Sequence, residues 1–302
     1  MWDSSTIELP TGALTQPMGL EPHARPACLV VYSGAETGRR LVLEPGSSVI
    51  GRGHGASLYL DDPNLSRRHA ELQVSAQGIC LRDLGSSNGS WVNGRRIEQP
   101  QWLADGDRVC LGKLQLRFLA AGNPESAVHA RAWHLANVDG LTGAWNRRYW
   151  RDALATAVRL AAQGGPPPAV LCGDLDFFKR VNDQYGHSAG DTLLQQVVQR
   201  VQARLRQGDL LGRLGGEEFG VLLPGTPQAT ALALAERLRE AVASQGFMLD
   251  DGTGGGNLQH HQTMSWGVAC WSLERADAPA LIDLADRRLY EAKHGGRNCV
   301  RG

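Results

Sequence analysis

Asp174 and Asp176 end an apolar run that reads Ala-Val-Leu-Cys-Gly-Asp-Leu-Asp from Ala169. Phe177, Phe178 and Lys179 follow at once, so a cation lies close to both acids. Further on, Gly215-Gly216-Glu217-Glu218-Phe219 sets two glycines and then two carboxylates between apolar stretches. Lys293 and Arg297 stand at a four-residue spacing near the end of the sequence. Carboxylates at the carboxyl end of a strand are well placed to hold Mg²⁺ beside a nucleotide phosphate. Cations at a helix end fit either phosphate clamping or plain helix-end electrostatics. Taken alone, the glycine-acid stretch reads as a solvated turn with two surface charges. Together, acids for a metal, cations for phosphate and a bare glycine hairpin describe phosphoryl-transfer chemistry.

The elements around these residues must do the positioning. From about Asp139 helical and strand patterns alternate. Arg147 to Gln163 is helical, and Gly164-Gly165-Pro166-Pro167-Pro168 stops it. Ala189 to Leu205 is an amphipathic helix, with apolar residues three and four apart. Asp209 to Pro224 predicts two strands around the Gly215-Gly216 turn. A helix from Pro227, a strand from Gln262 and a last helix from Pro279 complete an α/β or α+β unit with helices on the faces of a sheet. The spacing predicts that Lys293 and Arg297 both belong to the end of that last helix.

The preceding region is different. Between Ala27 and about Leu119, short β-rich runs such as CLVVY, AELQV, GICLRDL and KLQLRFL alternate with Gly, Pro, Asn and Asp. Repeated short strands with turn signals predict an all-β sandwich. Residues 1–26 are rich in Thr, Ser, Gly and Pro without a sustained apolar period, and read as a disordered tail. The expected organisation is therefore a tail over 1–26, a sandwich over 27–120, a linker helix over 121–138 and the catalytic unit over 139–302.

A length of 302 residues suits two domains. Lys+Arg and Asp+Glu are equal at 31 each, which excludes the basic excess of a general nucleic-acid binder. Six cysteines occur without a C-x-x-C pair, so neither a zinc site nor a disulfide framework is indicated. No apolar stretch reaches the ~20 residues that span a bilayer, and the first residues lack a signal-peptide pattern. A cytoplasmic protein with no membrane partner is expected.

The segments DGLTGAWNRR, DLDFFKRVNDQYGHSAGD, RLGGEEF, SWGVA and YEAKHGGRN occur in this order from Asp139 to Asn298. Together they closely resemble the GGDEF family of diguanylate cyclases, across essentially the whole second domain. The resemblance implies a fold like those of nucleotide cyclases and polymerase palms. It implies that Asp174, Glu217 and the carbonyl of Leu175 hold Mg²⁺, or Mn²⁺ in its place. Lys179, Lys293 and Arg297 would bind the phosphates of GTP, with backbone N–H groups around Phe177 and Phe178. Asn182 and Asp191 would read guanine. A carboxylate can accept from the N1–H and N2–H₂ of guanine, whereas adenine would leave it facing an acceptor. Asp191 is also suited to be a helix N-cap. Asp176 would be structural, paired with Arg213. Glu218 could deprotonate the attacking hydroxyl. Two such domains must face each other to make cyclic di-GMP, so a homodimer is implied. Arg206 and Asp209, with Arg237, resemble the family's inhibitory product site. Ala144-Trp145 departs from the family's usual Leu, and the stretch DDGTGGGN before Gln262 suggests a longer hairpin.

Gly51-Arg52, Leu65-Ser-Arg-Arg-His69 and Ser86-Ser-Asn-Gly-Ser-Trp-Val-Asn-Gly94 resemble the forkhead-associated (FHA) module. The resemblance runs from about Cys28 to Leu119 and implies binding of phosphothreonine peptides by loops at one end of a sandwich. Arg52, Ser66 and Arg67 would hold the phosphate and Asn88 the peptide backbone. His69 would hold the loops together. Without the motif, Arg52 passes as a surface charge and Asn88 as a turn residue. Thr6, Thr11 and Thr15 precede the module, each with an apolar residue three positions on, so the chain's own tail is a candidate phosphopeptide. The sequence thus implies a cyclase switched through the module. A protein that only senses cyclic di-GMP, or a scaffold built on the module, would be the alternatives.

Overall fold

The computed structural model describes residues 26–34, 36–250, 257–274 and 277–302. The expected tail lies outside the described residues, apart from Pro26. The described residues pack as two units, divided between Ala136 and Asn137.

The first unit contains β1 (Cys28–Val31), β2 (Arg40–Val42), β3 (Gly46–Gly51), β4 (Leu58–Tyr59), β5 (Ala70–Ser75) and β6 (Gly78–Asp83). It continues with β7 (Ser90–Val92), β8 (Arg95–Arg96), β9 (Gln101–Trp102), β10 (Arg108–Leu111) and β11 (Leu114–Leu119), then helix α1 (Pro124–Asn137). One sheet has the order β2-β1-β11-β10-β7-β8 and the other β4-β3-β5-β6-β9. Side chains alternate across a strand, so one face of each sheet turns inward. In β11, Leu114, Leu116 and Phe118 point into the core while Gln115 faces out. They meet Ile50, Leu72 and Leu81 of the other sheet. The expected sandwich is present.

The second unit contains β12 (Trp145–Asn146), α2 (Arg147–Ala162), β13 (Ala169–Leu175), α3 (Phe178–Tyr185), α4 (His187–Gln202), β14 (Leu210–Gly215) and β15 (Glu218–Leu223). Then come α5 (Gln228–Ala243), β16 (Phe247–Asp250), β17 (Asn257–His260), β18 (Met264–Cys270), α6 (Ala278–His294) and β19 (Val300–Arg301). The main sheet has the order β12-β14-β15-β13-β18-β19. Its centre is antiparallel and its edge pairs are parallel, so the unit is α+β. Every residue of β13 is buried, which explains its unbroken apolar run. β13 lies between β15 and β18, so its end delivers Asp174 and Asp176 to the middle of the sheet rim.

Bulky indoles lie over glycines of this sheet. A Cβ on Gly173 would sit 2.4 Å from Trp266, and one on Gly212 or Gly220 would sit 2.7 or 2.6 Å from Trp150. β16 and β17 pair as an antiparallel hairpin, and the glycine-rich stretch between them lies outside the described residues. Among the described residues, no helix is long and apolar enough to cross a membrane.

Candidate active site

The glycine-acid motif forms the β14–β15 turn. Gly216 has φ +44°, a left-handed conformation that side chains rarely adopt. The register shifts between Arg213 and Gly215, and Glu218 lands opposite Asp174 of β13. The Glu217 carbonyl accepts from the Leu175 N–H at 3.4 Å. Lys293, in the last turn of α6, places Nζ 2.9 Å from Oδ2 of Asp174. Elements far apart in sequence thus converge on one carboxylate.

Asp174 is nearly buried. Burial pushes its carboxyl up to about 6; Lys293 opposes this, and the neighbouring Glu217 and Glu218 add to it. Crowded, desolvated carboxylates favour a cation between them. Asp174, Glu217 and the Leu175 carbonyl are hard oxygen donors, and Mg²⁺ is ordinarily held by one or two carboxylates plus substrate phosphates. The donor set therefore fits Mg²⁺.

Asp176 does not pair with Arg213. Its Oδ2 accepts from Thr263 Oγ1 at 2.7 Å and from the Asn298 N–H at 3.0 Å, and its Oδ1 from Ser265 Oγ at 2.8 Å. It is a buried tie between β13, β18 and the segment after α6. Gln262 adds a bond from its Nε2 to the Asp176 carbonyl at 2.7 Å. Arg213 instead holds Asp139, at 3.1 Å, and the Gly216 carbonyl. Burial opposes ionisation of Asp139, but Thr142 and Arg213 outweigh it and keep the carboxyl below its usual range. These supports gave no local sequence signal, because the partners lie on distant strands.

Phe177 is the N-cap of α3, with Phe178, Lys179 and Arg180 opening the helix. The first-turn N–H groups of a helix have no intrahelical partner and are suited to an anion. Phe178 is buried, whereas Lys179 is exposed. Arg297 does not belong to α6. The helix ends at His294 with Gly295 as its C-cap, and Arg297 follows at φ +62°. The guanidinium groups of Arg180 and Arg297 both lie 4.3 Å from the Phe177 ring centroid.

Asp191 is not an N-cap either. Gly186 caps α4, and Asp191 lies exposed in its second turn. Gly190, beside it, has a reason that spacing did not suggest. A Cβ there would meet Asn182 Oδ1 at 1.9 Å, so the Asn182 amide lies against α4 only because residue 190 is bare. That contact sets Asn182 against the turn of α4 that also carries Asp191, the second residue expected to read guanine.

On the other side of this unit, Arg206 Nε lies 3.1 Å from Asp209 Oδ1. Its Nη2 also donates to the Pro224 carbonyl at 2.7 Å and to Thr226 Oγ1 at 2.9 Å. Burial raises the Asp209 pKa, against Arg206, and Arg237 acts on it from α5.

In the first unit, three loops meet at one end of the sandwich. The Arg52 N–H donates to Ser66 O at 3.1 Å, and the Gly53 N–H to Arg67 O at 3.0 Å. Ser66 Oγ accepts from the Ser87 N–H at 3.0 Å, and Asn88 Nδ2 donates to Asn64 O at 2.8 Å. Arg52 Nε donates to Leu65 O at 2.5 Å. Buried His69 accepts the Ser66 N–H on Nδ1 at 3.1 Å and bonds Gly89 O through Nε2 at 2.9 Å. Ser90, also buried, donates to Asp83 at 2.6 Å.

Both parts of the chain match known protein families. The family model for the GGDEF domain of diguanylate cyclases matches residues 136–299. This chain belongs to the GGDEF diguanylate cyclase family. An FHA domain model matches residues 48–112 of the same chain. The response regulator PleD of Caulobacter vibrioides is 42% identical over 168 residues, covering 56% of this chain and 36% of PleD. The diguanylate cyclase DgcP of Pseudomonas aeruginosa is 33% identical over 247 residues, covering 78% of this chain and 36% of DgcP. The chain thus spans little more than a third of the length of these relatives. The solved GGDEF domain of DgcB from Caulobacter crescentus, in complex with cyclic di-GMP, aligns with a TM-score of 0.51 and 31% identity. That alignment covers 55% of this chain and 92% of the DgcB domain.

Proposed function

We propose that this GGDEF chain condenses two GTP into cyclic di-GMP, releasing pyrophosphate, as a homodimer in which each protomer presents one GTP. The observation that carries this reading is the meeting of Asp174, Lys293 and the Glu217-Glu218 turn at the sheet rim. Asp174, Glu217 and the Leu175 carbonyl would hold Mg²⁺ or Mn²⁺, which supplies charge for the phosphates. Lys179, Lys293 and Arg297 offset the triphosphate's charge, and the N–H groups near Phe177 and Phe178 receive its oxygens. Asn182 and Asp191 select guanine. Glu218, exposed across from Asp174, is available to take the proton of the attacking 3′-hydroxyl. Arg206, Asp209 and Arg237 are proposed to bind the product and slow the enzyme. Arg52, Ser66, Arg67 and Asn88 are proposed to bind a phosphothreonine peptide and to control the catalytic unit.

The test is cyclic di-GMP formation from GTP with Mg²⁺. Wild type should make it, and ATP should not substitute. Glu217→Gln removes a metal-holding charge while keeping shape, and should lose at least about a hundredfold in kcat, given several kcal/mol for metal stabilisation. A wild type inactive at high protein concentration defeats the cyclase reading. Full activity in Glu217→Gln defeats the metal assignment.

A further inference from the structure

We propose that the Phe177 side chain is a positioning residue, a ring that gathers the guanidinium groups of Arg180 and Arg297 into a clamp for the polyphosphate end of the nucleotide. The proposal rests on the cyclase reading for the identity of that nucleotide. It adds a cation, Arg180, and gives the Phe177 side chain a role where only backbone N–H groups were expected.

Phe177 is unusual in two ways. Its φ of +59° and ψ of +25° are left-handed, a region a bulky residue occupies only at a cost. The residue is 49% exposed, so burial in the core does not account for it. Strain of this kind persists where surrounding structure holds it, and it clusters at ligand sites.

The ring's neighbours supply the reason. Arg180 Cζ and Arg297 Cζ each lie 4.3 Å from its centroid, well inside the ~6 Å reach of a cation–π contact. Arg297 comes from the far end of the sequence and is itself left-handed, as is Asn298 at φ +44°. The Arg297 N–H donates to Ala292 O at 3.1 Å, and the Asn298 N–H donates to Asp176 at 3.0 Å. The segment after α6 is therefore tied at both sides of Arg297. Left-handed residues stand on both sides of the Phe177–Arg297 contact.

The chemistry of this contact suits an anion. A ring face holds the plane of a guanidinium without using its N–H donors. Among the described residues, neither Arg180 nor Arg297 has a carboxylate partner or a side-chain hydrogen bond. Their donors remain open for bidentate bonds to phosphate oxygens. Phe177 follows Asp174 by three residues, and Arg297 follows Lys293 by four, which places the clamp beside the Asp174–Lys293 pair.

Calorimetry on the full chain with Mg²⁺ tests this, using a non-hydrolysable GTP analogue and GMP as the two probes. Phe177→Ala and Phe177→Gly should weaken the analogue by roughly two- to fivefold, the worth of an exposed cation–π contact. GMP lacks the outer phosphates and should bind unchanged. Phe177→Tyr and Phe177→Trp keep a ring and should restore the analogue. Glycine relieves the left-handed strain, so Phe177→Gly should melt no lower than wild type while still binding worse. In kinetics the loss should appear in KM more than in kcat. On an Arg180→Ala, Arg297→Ala background, Phe177→Gly should have no further effect. Unchanged analogue affinity in Phe177→Gly overturns the proposal, as does an equal loss for GMP. A wild type that makes no cyclic di-GMP but binds the analogue in this Phe177-dependent way would sink the cyclase reading and leave the clamp standing.

Discussion

His69 illustrates how a single residue carries both fold and site. Its Nδ1 accepts the Ser66 N–H, so the proton of the neutral ring must be on Nε2, where it faces the Gly89 carbonyl. The ring thereby ties two loops of the first unit that carry Ser66 and Asn88. Burial lowers its pKa, against the Gly89 carbonyl and Asp83, which raise it. The sign follows from linkage. The unfolded chain takes a proton near the ordinary imidazole value of about 6.5, whereas the folded chain takes it only at lower pH. The unfolded state therefore binds more protons in that window, and stability falls as pH drops below about 6.5. One proton gives a slope of at most about 1.4 kcal/mol per pH unit. Above about 6.5 the contribution is fully present. Denaturant unfolding of the first unit between pH 7.5 and 5 should show this fall, and His69→Gln should flatten it. A wild-type curve as flat as that of the variant would remove His69 from the account. Protonating Nδ1 also ends its bond to Ser66, so the loop carrying Arg67 should loosen over the same range.

At the scale of elements, the seat of α6 on β18 decides where Lys293 stands. A Cβ on Gly267 would lie 2.0 Å from Ala285 O and 2.3 Å from Leu289 N, both backbone atoms of the helix. Gly267→Ala should therefore lift α6, costing about 1–3 kcal/mol as overpacking does. Lys293 would shift from Asp174, so kcat/KM for GTP should fall together with the melting temperature. An alanine variant with the wild-type melting point and activity would show that the seat has slack. Long periodic elements, α2, α4, α5 and α6 among them, follow from apolar spacing because each buries one face. The eight-residue α3 is not legible in the sequence, since its span is too short for a clear period. Arg297 reads as part of α6 in the sequence because its four-residue spacing from Lys293 mimics a helix. Gly295-Gly296 was the available stop signal, as glycine commonly ends helices. Asp174, Glu217, Glu218 and Lys293, which meet at the sheet rim, were legible by type and order. The ties around Asp176 and the bare surface at Gly190 were not, because they arise from pairing across the sheet and packing between helices.

At the scale of the molecule, an FHA domain and a GGDEF domain share one chain, and a regulatory link needs a ligand for the first. The loops that present Arg52, Ser66, Arg67 and Asn88 are already held together by backbone bonds and by His69, so little ordering remains to oppose binding. Phosphorylation adds a charge of about −1.5 to −2 and strong acceptors, which suits Arg52 and Arg67. Thr6, Thr11 and Thr15, followed three positions on by Leu9, Leu14 and Met18, provide candidate ligands within the chain. A tethered ligand acts at an effective concentration near ~1 mM, so even a weak site would be filled within one chain or across a dimer. The expected outcome is that at least one peptide from residues 1–26, phosphorylated at one of these threonines, binds the full chain better than its unphosphorylated form. Arg52→Ala should weaken that peptide by roughly ten- to a hundredfold, since hydrogen bonds to charged groups are worth about 1.5–3 kcal/mol. The cyclase rate of the phosphorylated chain should then differ from that of Arg52→Ala. If no phosphopeptide is preferred over its unmodified form, self-docking is wrong and the ligand belongs to another protein. If one binds through Arg52 while the cyclase rate stays the same, the site exists but is not the switch.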